Sequence, residues 1–107
     1  MGEGIANTIY FAYGSNMCPE QMAARCPGGL ALGRAELSDW RFLINTRTYA
    51  TIESSPGAVT HGVLWSLTLR HITELDRYEA VVEGMYHKTS LIVQKAGDPV
   101  EALVYID

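Results

Sequence analysis

The sequence predicts an α+β protein whose short strands curl into a small mixed β-barrel. Three observations carry that reading. β-branched and aromatic runs recur along the chain, turns rich in Gly and Pro separate them, and only two segments have helical composition. A sheet in so short a chain gains by curling, because closure removes exposed edges. The 107 residues read as one domain, 1–107, and with 48% hydrophobic and 19% charged residues it can bury a true core.

The elements follow in order. Thr8 to Tyr13 is short and rich in β-branched and aromatic residues, so it reads as a strand. Pro19-Glu20 open a helix with a Pro and an acidic first turn, and Gln21 to Arg25 continue it until Cys26-Pro27-Gly28-Gly29 stops it. Leu30 to Leu37 and Trp40 to Asn45 read as strands on either side of a Ser38-Asp39 turn. Tyr49 to Ile52 is a further strand closed by Ser54-Ser55-Pro56-Gly57, and Gly62 to Leu67 is another. Residues 68–86 have helical composition, with Gly84 as a natural stop. Met85 to Gln94 and Glu101 to Ile106 form a last pair joined through Ala96-Gly97-Asp98-Pro99. The expectation is about six or seven short strands with two helices.

Charge and composition exclude several classes of function. A net charge of −4 without any Lys/Arg run argues against nucleic acid and against an anionic membrane surface. No apolar stretch reaches the roughly 18 residues of a membrane span. Met1-Gly2-Glu3-Gly4 lacks the basic and apolar regions of a signal peptide. Cys18 and Cys26 are therefore expected as reduced thiols in a cytoplasmic protein, and their spacing matches no zinc motif, so no metal is expected.

Two places invite chemistry. The apolar run Ile9-Tyr10-Phe11-Ala12-Tyr13 breaks abruptly into Gly14-Ser15-Asn16, a turn whose backbone can face a ligand. The second lies on the helix at 68–86. With Ile72 set at zero on a helical wheel, Leu75, Val82 and Tyr78 fall at about 300°, 280° and 240°. Glu79 falls at about 340°, inside that apolar arc, whereas Asp76 and Glu83 fall at its edge and Glu74 and Arg77 outside it. A carboxylate on a core face is costly unless paired or neutralised. Desolvation and the negative end of the helix dipole both raise its pKa, which suits a general acid or base near neutral pH. A structural ion pair with Arg70, Arg47 or Lys88 is the plainer alternative for Glu79.

The two places resemble parts of one known pattern. Tyr10-Phe11-Ala12-Tyr13-Gly14-Ser15-Asn16 resembles the substrate-binding loop of the γ-glutamylcyclotransferases. Leu75-Asp76-Arg77-Tyr78-Glu79, with Gly84-Met85-Tyr86 after it, is similar to the segment that carries that family's catalytic glutamate. Residues 50–57 and Gly62-Val63-Leu64-Trp65 resemble family stretches in the same order. The resemblance implies a small α+β barrel that cyclises a γ-glutamyl group to 5-oxoproline and releases an amine. It assigns Glu79 as the catalytic acid/base, and Tyr13, Gly14, Ser15, Asn16 and Tyr86 as substrate-binding residues. The implied partner is a small γ-glutamyl molecule, and no cofactor is implied. Ala80 departs from the Gly that often follows the family's catalytic Glu, and the sequence given stops at Asp107 where many relatives continue.

Other residues have plainer roles. Ser15 as a nucleophile lacks a His in a supporting motif. His61 and His87 are scattered, and His71 reads as a satisfied, partly buried imidazole. Cys18 reads as a small residue at a helix start, Trp40 and Trp65 as core, and Gly28-Gly29 as a turn. The competing functional class is a non-catalytic binding module for a γ-glutamyl or carboxylate ligand. Glu79 argues against it, since a carboxylate near an anionic ligand only weakens binding.

Overall fold

Successive side chains of Thr8–Ala12, the first strand β1, join opposite apolar clusters, with Phe11 turned inward and Tyr10 and Ala12 outward, all three of them buried. The computed structural model describes residues 7–46, 50–78 and 86–106. After a single 3-10 turn at Ser15–Met17 come helix α1 (Pro19–Arg25), strands β2 (Leu30–Ile44) and β3 (Ala50–Leu67), and helix α2 (Leu69–Tyr78). Strands β4 (His87–Lys95) and β5 (Asp98–Ile106) follow. The sheet closes into a barrel in the order β1-β3-β2-β4-β5. Every pairing is antiparallel except the closure of β5 onto β1, where Tyr10 lies beside Leu103.

The expected α+β barrel is what forms, with five strands among the described residues rather than six or seven. The difference has one cause. Ser38-Asp39 and Ser54-Ser55-Pro56-Gly57, read from sequence as chain reversals, face each other as an irregularity inside two long strands. Ser38 pairs with Val59 while Trp40 pairs with Ser54, so residues 55–58 bulge out opposite Asp39. Asp39 takes φ 70° and Gly57 takes φ 87°, and the Gly57 N–H donates to Asp39 Oδ1 at 3.0 Å. Gly57 meets no steric objection to that backbone, and Asp is among the residues that tolerate it best. The outer half of the hairpin, Trp40–Ile44 with Ala50–Ser54, thus leaves the barrel wall as an arm.

Two apolar clusters hold the fold. Phe11, Leu37, Ile52, Leu64, Val93 and Val104 fill the barrel. Outside it, Tyr10, Trp65, Leu67 and Tyr105 are covered by Met22 of α1 and by Ile72 and Leu75 of α2. Ile72 and Leu75 are the buried stripe that the helical wheel places on the core face. Burial of each such side chain is worth roughly 1.5–3 kcal/mol. Thr68 caps α2: its Oγ1 accepts from the His71 N–H at 3.3 Å, and His71 Nδ1 accepts from the Thr68 N–H at 3.1 Å. This is a capping box with His in place of the usual Glu or Gln.

Candidate functional site

Tyr13, Gly14, Ser15 and Asn16 occupy the C-terminal end of β1. Because β5 runs parallel to β1, its end lies on the same rim, and β4 begins there, with His87 beside Ile106 and Tyr86 just before it. The Tyr13–Asn16 turn and Tyr86 therefore lie on one rim. The chain leaves β1 through the 3-10 turn, closed by the Met17 N–H donating to the Gly14 carbonyl at 3.1 Å. Such a turn gives the N–H groups of Ser15 and Asn16 no acceptor within itself.

Side chains fix this turn from below. Asn16 is 3% exposed, and its Nδ2 donates to Tyr10 Oη at 3.1 Å while its Oδ1 accepts from Arg25 Nη1 at 2.6 Å. Its amide therefore ties the turn to β1 and to the last turn of α1. Tyr13 donates its hydroxyl to the Tyr105 carbonyl, bridging the ends of β1 and β5.

The arm of the β2–β3 hairpin folds over the same rim. Its Phe42 ring meets Tyr13 edge to face, with centroids 6.3 Å apart. A Cβ on Gly14 would lie 3.2 Å from Ala50 Cβ, so a side chain there would crowd the arm. Tyr86 donates its hydroxyl to the Ala50 carbonyl. Three of the predicted substrate-binding residues, Tyr13, Gly14 and Tyr86, thus meet this one element.

Glu79 lies outside the described residues. What is described is the turn that leads to it. Asp76, in the last turn of α2, accepts from Tyr105 Oη at 2.7 Å through Oδ1 and pairs with Lys88 Nζ at 2.9 Å through Oδ2. Lys88, a sequence candidate for pairing with Glu79, pairs with Asp76. The position of Asp76 at the edge of the apolar arc was the available signal for this anchor.

The remaining candidates have structural explanations. His71 is buried, and since Nδ1 accepts from Thr68, Nε2 is the donor to the Pro27 carbonyl at 2.6 Å. The imidazole is a neutral clamp between α2 and the loop after α1. Cys18 and Cys26 are free thiols. Cys18 stands at the N-cap of α1 without a side-chain capping bond, and Cys26 is buried. Gly28, at φ 87°, forms the turn after α1. Two hollows of about 620 and 400 Å³ open elsewhere on the barrel, beside the exposed Glu36–His61 pair and beside Ser90 and Glu101. Neither is lined by residues 13–16 or by Tyr86. No helix among the described residues is long and apolar enough to cross a membrane.

Residues 10–107 match the family described as gamma-glutamyl cyclotransferase, AIG2-like. Gamma-glutamylcyclotransferase of Bos taurus is 34% identical over 88 residues, covering 73% of this chain and 47% of that protein; the protein of the same name from Homo sapiens gives the same figures. A solved structure of a gamma-glutamyl cyclotransferase has a TM-score of 0.86 at 29% identity, covering 94% of this chain and 66% of that one. The chain belongs to the γ-glutamyl cyclotransferase, AIG2-like family. It spans about half the length of the curated relatives it matches.

Proposed function

We propose that the protein is a γ-glutamylcyclotransferase, one domain over residues 1–107, that converts a γ-glutamyl compound to 5-oxoproline and a free amine. The observation that supports this most is the convergence on one barrel rim of the Tyr13–Asn16 turn and Tyr86, in a chain of this family. The N–H groups of Ser15 and Asn16 suit an anion: the substrate carboxylate or the oxyanion that develops at the γ-carbonyl. Tyr13, Gly14 and Tyr86, braced against the arm, would hold the glutamyl chain bent back on itself. Asn16 acts through its bonds to Tyr10 and Arg25, which keep the turn in shape.

In the reaction the α-amine nitrogen attacks the γ-carbonyl carbon, and the bond from that carbon to the leaving nitrogen breaks. Glu79 takes protons from the attacking ammonium and returns them to the departing amine, so none is gained or lost overall. General acid–base work of this kind contributes ~10²–10⁴-fold, and holding the reactive conformer adds to it. No cofactor enters the scheme. Two reduced thiols suit a cytoplasmic location.

Glu79→Gln keeps the shape and removes the proton acceptor. With γ-glutamyl peptides and amines as substrates and 5-oxoproline read by mass spectrometry, the variant is expected to lose ~10²–10⁴-fold in kcat. A wild-type rate in the variant would remove Glu79 from the mechanism. Saturable binding without product in the unaltered protein would make it a binding module.

A further inference from the structure

The arm that closes the rim is apolar on the side facing Tyr13. Side chains alternate along a strand, so Trp40, Phe42 and Ile44 share a face, and their cross-strand partners Ser54, Ile52 and Ala50 share it with them. The inner end of this face is part of the core: Ile52 is buried, and Trp40 packs against the barrel interior. Toward the tip the face opens. Phe42 is 48% exposed and Ile44 is 54% exposed, although Phe42 already leans on Tyr13 and Ala50 on Gly14. Apolar surface of this kind, adjoining candidate binding residues and left open beside them, is the character of a ligand wall.

Its chemistry decides which half of a γ-glutamyl substrate it meets. The glutamyl half carries a carboxylate, which gains nothing from a phenyl ring or a sec-butyl group, and an ammonium, which gains only from the ring face and nothing from the sec-butyl group. The main-chain N–H groups of the 3-10 turn serve that half better. The arm remains for the other half. Resting on the cyclotransferase reading, we infer that Phe42 and Ile44 form the leaving-group subsite, and that the preferred substrates are γ-glutamyl compounds whose released amine carries an apolar side chain, aliphatic or aromatic. Phe42 and Ile44 set the specificity of the site, and the chemistry stays with Glu79.

The test uses the full chain with γ-glutamyl-leucine, γ-glutamyl-phenylalanine, γ-glutamyl-serine and γ-glutamyl-aspartate, reading 5-oxoproline. The expected kcat/KM for the two apolar substrates exceeds that for the serine compound by about 10-fold or more, as removal of an apolar contact of this size implies. Phe42→Ser and the more exposed Ile44→Ser each shrink that ratio, chiefly through KM, and Phe42→Leu preserves it. Release of 5-oxoproline from all four substrates at equal kcat/KM would overturn the subsite while leaving the cyclotransferase reading intact. So would a ratio that both serine variants retain. Absence of 5-oxoproline from every substrate would instead overturn the cyclotransferase reading itself. A dimer that Ile44→Ser dissociates would place a second copy on the arm and also overturn the subsite.

Discussion

A single amide, that of Asn16, joins three stretches of chain: the turn that carries it, Tyr10 on β1 and Arg25 on α1. Buried and bonded at both ends, it has no room to turn toward a ligand without breaking those bonds. Asn16→Ala is expected to destabilise the protein by about 1–3 kcal/mol, the usual result of stranding buried polar partners. Urea denaturation measures that loss. In a double-mutant cycle with Tyr10→Phe the two changes should fall short of additivity; additive losses would mean that the bond between them is idle. The sequence makes Asn16 visible as a polar residue after an apolar run, yet its role depends on Arg25, nine positions later. No local pattern links the two. Helical periodicity alone singles out Glu79, which lies outside the described residues; of the apolar arc it was placed in, Ile72 and Leu75 are buried.

At the scale of elements, the position of the arm depends on the irregularity between Ser38 and Trp40. Asp39 contributes twice there, by accepting a left-handed backbone and by bonding the Gly57 N–H. Asp39→Ala loses the bond and strains the backbone, with an expected cost of about 1–2 kcal/mol. Because the arm braces Tyr13, Gly14 and Tyr86, KM for a γ-glutamyl substrate should rise as well. Asp39→Asn keeps both features and is expected to restore KM; if Asn behaved like Ala, the bond would not be what holds the arm. The same place shows why strand number was misread. Ser, Asp, Pro and Gly mark departures from a regular strand, but a bulge and a chain reversal use the same residues. Only the partner strand decides between them. The two helices and the β4–β5 hairpin, whose signals are local, were legible: α1 runs Pro19–Arg25 as expected, and Ala96 and Gly97 turn the hairpin with positive φ.

For the molecule as a whole, stability carries an alkaline signature from Cys26. Burial pushes its thiol above the ordinary 9.0, Arg25 opposes the rise, and Glu74 adds to it. The folded protein therefore holds this proton more tightly than the unfolded chain does. That contribution is complete below the ordinary thiol value and drains away as pH climbs through the folded one. Denaturation of the native protein and of Cys26→Ala at pH 7 and about pH 10 should show the native protein losing more stability on the alkaline side. Parallel curves would show that the thiol has no part in it.

Closure of β5 onto β1 has a consequence in time. Tyr13 is steadied by a carbonyl 92 positions further along, so the rim cannot be completed until β5 has been made. Contacts of such span slow folding, because a long loop of chain must be gathered before they reward it. A nascent polypeptide still tethered to its ribosome would already display the glycine-bearing turn, yet lack the brace beneath it until the closing strand emerges.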